Sequence, residues 1–226
     1  MITKYVTNTY EITDTYKEIL LDAQEAKVKI EPSSDSNTKI VFFEKKRRPY
    51  GFYIEDNTLT IKSTKTKWYH ALRFGINRSE IKLCVPKLMF DKITVKSTVG
   101  SVDISSITCR ADIDIKTNTG KVNADGIFCK SFNSKGNTGR ITLNKLDAED
   151  SVYIKRNTGK VSLNDCNSKK FLIKTNTGSV CGKLPTGTAF AVKNNTGKII
   201  LPETTIGEAI NSTCEIKTNT GNVKFE

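Results

Sequence analysis

A short element, K-x-N-T-G, recurs through residues 91–226 and limits the possible folds more than any other feature of the chain. Aligned on Gly100, Gly120, Gly139, Gly159, Gly178, Gly197 and Gly221, the copies read VKSTVGSV, IKTNTGKV, SKGNTGRI, IKRNTGKV, IKTNTGSV, VKNNTGKI and IKTNTGNV. The intervals between glycines are 20, 19, 20, 19, 19 and 24 residues. Counting from the glycine, positions −7 and −5 are mostly apolar, as in Ile93 and Val95, Ile113 and Ile115, or Val152 and Ile154. Position +2 is always Val or Ile, and +4 is usually apolar. Alternation with period two on both sides of the glycine predicts two short strands, each with one buried face, joined by a corner at N-T-G. A helix is excluded, because the apolar positions never recur at three or four over a useful length.

A unit of 19 or 20 residues cannot close its own core, so the copies must stack and share one. The expected fold is all-β, a parallel β-solenoid of β-helix type with about seven turns over residues 91–226, right-handed by the general crossover preference. The corner residues fit this role. Asn tolerates a left-handed backbone, and Gly takes positive φ without steric cost. The structural corner set is Asn118 and Gly120, Asn137 and Gly139, Asn157 and Gly159, Asn176 and Gly178, Asn195 and Gly197, and Asn219 and Gly221. Stacked asparagines of this kind can bond amide to amide along a column. The first copy differs, with Thr98 and Val99 in place of Asn and Thr.

Residues 1–90 lack the glycine register but still read as β. AKVKI, KIVFFE, GFYIE, TLTIK and EIKLCV alternate and are separated by turn formers such as PSSDSNT and EDNT. They are assigned to a cap, or opening rungs, of the same continuous domain, because an uncovered first edge invites aggregation. The C-terminal end reads as less protected. Phe225 lies in the last strand and only Glu226 follows, although the long interval LPETTIGEAINSTCE is available to fold over that end.

The run IKLCVPK (residues 81–87), followed by glycine-marked V-x-x-x-x-G-x-V repeats, resembles the bacterial "putative adhesin" family of β-strand-repeat domains, otherwise described as domains of unknown function. The likeness runs from about AKVKI onward. It implies a β-solenoid with a role in adhesion or at the cell envelope, and it carries over no catalytic residues. The strict Lys and N-T-G at the corners are more regular than that family requires, so a function tied to them is not inherited from the resemblance.

One repeated residue is not required by the fold. Position −4 is lysine in all seven copies: Lys96, Lys116, Lys135, Lys155, Lys174, Lys193 and Lys217. It adjoins the inward position −5 and therefore points outward. Position +1, beside inward +2, is basic in four copies: Lys121, Arg140, Lys160 and Lys198. Together they predict a basic ridge along one edge, with ammonium groups nominally about 5 Å apart. Stacked like charges cost roughly 1 kcal/mol per neighbouring pair in water. Two explanations stand. Long lysine stems cover apolar surface while repeat duplication copies the charge, or the ridge tracks a linear polyanion. The chain carries 36 Lys and Arg against 24 Asp and Glu, a formal charge of +12 without a basic tail. That balance favours anionic partners such as anionic polysaccharide, an anionic lipid surface or nucleic acid, and a protein partner is a further candidate. Nucleic acid is disfavoured, since the repeats interleave no exposed aromatics with their basic residues.

Other candidates carry less. Lys45, Lys46, Arg47 and Arg48 read first as a solvated loop and second as an anion contact. Trp68, Tyr69 and His70 hold the only Trp and the only His, and read as part of the cap. A lone His without a recurrent Ser, Cys or carboxylate partner gives no triad and no metal site, so no cofactor and no enzymatic activity are expected. Cys84, Cys109, Cys129, Cys166, Cys181 and Cys214 form no C-x-x-C pair and read as small core residues, with disulfides as the alternative in an exported protein. Position −3 varies among Ser, Thr, Gly, Arg and Asn, so no flat threonine array of ice-binding type results. No stretch reaches the roughly 18 apolar residues of a membrane span, and MITKYVTNTYEITD lacks the apolar core of a signal peptide. The chain as given therefore reads as cytoplasmic, or as envelope-associated if an anchor lies outside it. The leading expectation is a non-catalytic, adhesin-like interaction protein. A carbohydrate-active β-helix enzyme, or a structural scaffold joined through the solenoid ends, is the alternative.

Overall fold

A computed structural model describes residues 4–47, 49–64, 79–203 and 209–226. Arg48, Trp68, Tyr69 and His70 lie outside the described residues. The described part is all β, without a helix, and forms one strongly curled sheet of β-solenoid-like architecture. The N-terminal strands are β1 (Tyr5–Ile12), β2 (Glu18–Gln24), β3 (Lys27–Pro32), β4 (Thr38–Lys45), β5 (Tyr50–Glu55), β6 (Thr58–Ser63) and β7 (Glu80–Val85). The repeat region holds β8 (Met89–Phe90), β9 (Lys92–Ser97), β10 (Val102–Cys109), β11 (Asp112–Thr119), β12 (Val122–Thr138), β13 (Ile141–Thr158), β14 (Val161–Asn164) and β15 (Asn167–Thr177). It ends with β16 (Val180–Lys183), β17 (Thr188–Thr196), β18 (Ile199–Ile200), β19 (Ser212–Thr220) and β20 (Val223–Phe225).

Period-two alternation produces the expected burial. Ile113, Ile115, Val152, Ile154, Phe171 and Ile173 before the glycine, and Val122, Ile141, Val161 and Val180 after it, are all fully buried. They join one continuous apolar cluster that also takes in Leu21, Val28, Ile30, Phe42, Ile61 and Leu83 from the N-terminal strands. Neighbouring copies pair in parallel and in register, so that Ile113 sits on Ile93, Phe132 on Ile113 and Val152 on Phe132.

The glycine has a stronger reason than backbone conformation. A Cβ on Gly159 would stand 2.1 Å from the carbonyl oxygen of Gly139, and one on Gly139 2.0 Å from that of Gly120. Adjacent corners touch backbone to backbone, which no side chain permits. Gly159 also has φ of 147°, outside the range that L side chains adopt comfortably.

The first four copies have a further corner that the simple strand, corner, strand description omits. Six residues after the glycine, Ser106, Gly126, Lys145 and Asp165 take positive φ of 54°, 64°, 47° and 52°. The ladder skips this residue, with Ser105 opposite Asp125 and then Ile107 opposite Ile127. The chain turns there and buries Ile107, Cys109, Ile127 and Cys129 on another face before the next copy begins.

Strand order corrects the expectation of sequential stacking. β15 pairs with β19, and β19 with β17; likewise β16 pairs with β20, and β20 with β18. The copy marked by Gly221 thus lies between those marked by Gly178 and Gly197. Phe225 is accordingly 1% exposed, with the ring of Phe190 at 5.0 Å, rather than standing at an open end. The 24-residue interval gives the chain enough length to pass outward and return. Ile199 and Ile200, on the outermost copy, are left half-exposed.

The N-terminal region shows the same interchange. β2 pairs with β9 on one side and β6 on the other, while β3 lies between β10 and β7. β4 then closes β7, and β5 closes β6, by antiparallel pairing.

Candidate functional site

The seven lysines at −4 occupy one register column. Their Cα partners run Lys96, Lys116, Lys135, Lys155, Lys174, Lys217 and Lys193, so the interchange of the last two copies leaves the column unbroken. Spacing along the column is that of hydrogen-bonded strands, about 4.8 Å. All are exposed except Lys174, which is half-buried. Among the described residues Lys217 alone of the seven carries an ion pair, to Glu215 at 2.6 Å, and this pairing holds the Glu215 carboxyl below its ordinary range. The Lys135 ammonium lies 5.1 Å from the centre of the Tyr153 ring. At the N-terminal end the column continues into Asp22, opposite Lys96, and then into Lys62. Asp22 is a boundary that the repeat alignment could not show, since β2 carries no glycine marker.

The second basic column is interrupted. Position +1 runs Ser101, Lys121, Arg140, Lys160, Ser179, Asn222 and Lys198 through successive backbone bonds, all four basic residues being exposed. Lys121, Arg140 and Lys160 are contiguous, and Lys198 stands apart. Of the loop cluster, Lys45 ends β4 while Lys46 and Arg47 occupy the turn after it. The corner asparagines divide into two groups. Asn195 donates to Asn219 at 3.0 Å and Asn219 to Asn176 at 2.6 Å. Among the described residues Asn118, Asn137 and Asn157, all exposed, make no such amide bond.

The residue beside the lysine, at −3, faces inward. Ser97, Thr117, Arg156, Thr175 and Thr218 are buried there, and Thr175 bonds Thr218 through their hydroxyls at 2.9 Å. Arg156 breaks the pattern. It is 2% exposed, and its Nη1 donates to the Thr117 hydroxyl at 2.7 Å and the Thr117 carbonyl at 3.3 Å, two copies away. Its Nη2 donates to the Ser134 hydroxyl at 3.3 Å, and its Nε has no partner. The side chain crosses Gly136, where a Cβ would lie 1.5 Å from Nη1. Among the described residues no carboxylate compensates the charge, and desolvation pulls the guanidinium down to about 10 from 12.5. At 1.36 kcal/mol per unit, that corresponds to on the order of 3 kcal/mol held against the charged form. The inward direction of −3 follows from the same period two that places −7 and −5 inside. Its mixed polar chemistry disguised it as surface.

Lys96, Lys116 and Lys135 line an open groove of about 560 Å³, together with Asp22, Asn118, Asn137, Thr117 and Gly136. The groove therefore lies on the residues that hold the Arg156 guanidinium from within. The cysteines are all unpaired. Burial raises the thiols of Cys109 and Cys166 to about 11 and those of Cys129 and Cys214 to about 12, which keeps them protonated and unreactive. Among the described residues no group of His, Cys, Asp and Glu has the arrangement of a metal site. Among the described residues no helix is long and apolar enough to cross a membrane.

No curated protein matches the chain. Among solved structures, a "putative adhesin" from Bacteroides fragilis is similar at 17% identity and a TM-score of 0.66, over 99% of this chain and 97% of that one. A "putative adhesin" from Parabacteroides distasonis is similar at 14% identity and a TM-score of 0.51, over 99% and 98%. At these identities the likeness shows the fold. The family model described as Toastrack DUF4097 matches residues 16–226, and the chain belongs to that family of bacterial domains of unknown function.

Proposed function

We propose that the protein is a non-catalytic, adhesin-like interaction module whose lysine edge binds an acidic polysaccharide. The observation that carries this reading is the column Lys96, Lys116, Lys135, Lys155, Lys174, Lys217, Lys193, unbroken in space and, apart from Lys217, without ion pairs among the described residues. A row of cations at strand spacing fits a linear polyanion better than a bilayer, because the column on one side of it is asparagine and threonine and on the other Asp114, Asn133 and Glu215 interrupt Tyr153 and Leu172, so no continuous apolar anchor results. In this reading a right-handed stack of seven repeat turns presents the ridge, and residues 1–90 close one end of the same domain. Lys121, Arg140 and Lys160 widen the basic strip at its centre. The resemblance of the fold to proteins named as adhesins, with the envelope setting that name implies, supports the class of activity.

Dextran sulfate, with neutral dextran as control, provides the test. Binding is expected for the sulfated polymer alone and should weaken steeply as salt rises, since the contacts are between exposed charges. Replacing Lys116, Lys135, Lys155 and Lys174 by Gln removes the middle of the column without touching the core and should abolish binding. Unchanged binding by that variant, or equal binding of neutral dextran, overturns the proposal.

A further inference from the structure

Two departures from the repeat fall on neighbouring copies and fit each other. Where the first, second, fifth and seventh copies place Ser or Thr at −3 and the sixth Asn194, the third has Gly136 and the fourth has Arg156, and these two are register partners. The glycine supplies the room through which the arginine reaches Thr117. A threonine at 156, like Thr117, Thr175 and Thr218, would satisfy the column without burying a charge. The pair instead places an uncompensated cation, with an unpartnered Nε, directly behind Gly136 and Thr117. Both residues line the groove that also holds Lys96, Lys116 and Lys135.

Asn118 and Asn137 also line the groove, and like Asn157 they are exposed and make no amide bond among the described residues, while Asn176, Asn219 and Asn195 are bonded to one another. Three lysines and two amides thus stand side by side along one open groove of an otherwise regular edge. A carboxylate offers two acceptor oxygens, whereas a phosphate or sulfate ester offers three, and the larger set of acceptors suits this many donors. Asp22 bounds the groove beyond Lys96 and repels an anion that extends further that way.

We propose that this groove is a discrete seat for one phosphate or sulfate group, with the buried charge of Arg156 strengthening the field at its floor. The inference rests on the reading of the lysine column as an anion-binding edge, and gives that edge a preferred register. The ligand enters by one tetrahedral group at Lys96, Lys116 and Lys135, and the remaining lysines hold the following polymer less specifically.

Inorganic sulfate and inorganic phosphate, titrated at constant ionic strength against acetate, distinguish the chemistry. Followed by nuclear magnetic resonance, saturable shifts are expected at the Gly136 backbone amide and at the side-chain amides of Asn118 and Asn137, with none from acetate. Arg156→Met keeps the length of the side chain and removes the charge. It should weaken sulfate about 10-fold or more while dextran sulfate binding falls much less. If that variant fails to fold by circular dichroism, the surface pair Asn118→Ala with Asn137→Ala decides, and Asn176→Ala serves as control. Sulfate shifts spread evenly over all seven lysine copies, or unchanged sulfate affinity in the deciding variant, overturn the seat. Even shifts with dextran sulfate still bound would reject the seat alone. Saturable sulfate binding in the groove without any dextran sulfate binding would retain the seat and reject the polysaccharide reading.

Discussion

The two ends of the stack solve one problem in different ways. At the N-terminal end the outer strands β6 and β7 are covered by antiparallel partners, β5 on β6 and β4 on β7, with β1 added to β4. Tyr16 completes the closure by bonding Thr38 at 2.6 Å and stacking on Phe90. At the C-terminal end β17 and β18 each have a partner on one side only among the described strands, and Ile199 and Ile200 remain 46% and 49% exposed. In both places one rung is tucked a layer in: β2 and β3 at one end, β19 and β20 at the other. At the C-terminal end this is the last rung, and a terminus held on both edges cannot peel away alone, whereas β1 at the N-terminal end pairs with β4 alone among the described strands. Only the N-terminal end then adds a true cap. The difference implies that perturbations at the middle, the tucked copies and the outer edges rank in that order.

The largest effect is expected at Gly159, which belongs to neither end. An added methyl would meet the carbonyl of Gly139 at 2.1 Å while the backbone holds φ of 147°. Overpacking and backbone strain together should cost about 5 kcal/mol or more, and lower Tm by about 10 to 20 °C for a domain of this size. Gly197→Ala makes a similar clash, at 2.2 Å from the Gly221 carbonyl, but on the outermost copy, which can yield. Its melt should shift by much less. Equal shifts for the two variants would show that the outer copy is as rigid as the middle, and would break the ranking.

Phe225 and Phe190 test the interchange itself. Phe225→Ala should cost about 3 to 5 kcal/mol, because the ring is 1% exposed between copies. Phe190 is partly buried on the outer copy, and its loss should cost about half as much. In a stack that followed sequence order the ranking would reverse, with Phe225 on the open face. Chemical denaturation of the two variants under the same conditions decides the matter.

Much of this was legible in the chain because period two survives translation into a sheet without loss. It placed Ile, Val and Phe inside and Lys96 through Lys217 outside. The −3 column was legible by the same rule, yet its mixture of Ser, Thr, Gly, Arg and Asn reads as surface until Arg156 is seen crossing Gly136. The corner at +6 could not be read, because Ser106, Gly126, Lys145 and Asp165 share no chemistry and take positive φ only under tertiary constraint. The order of the last copies was hidden for another reason. IKTNTG occurs identically at residues 173–178 and 216–221, so either copy offers its neighbour the same register and the same contacts. Local sequence cannot rank partners that are locally equal.

The smallest effect concerns charge at the two ends. Glu31, on the tucked strand β3, bonds Lys29 at 2.5 Å and reaches across to Lys82 of β7 at 2.8 Å. These hydrogen bonds hold its carboxyl below the ordinary 4.5. A depressed carboxylate contributes stability that is fully present above the ordinary value and is lost as pH falls through the lower folded one. Its partners are substantially exposed, so the contribution is about 0.2 to 1 kcal/mol after solvent screening. Glu31→Gln should therefore melt slightly below the parent at pH 7 and converge with it in acid below the folded value. At the other end the Glu226 side chain pairs, among the described residues, only with Lys224 of its own copy, tying no two copies together. Glu226→Gln should leave the melt unchanged at either pH. A gap for Glu31→Gln that persists undiminished in acid would mean the side chain acts through packing rather than charge, and the capped end would then owe nothing to this ion pair.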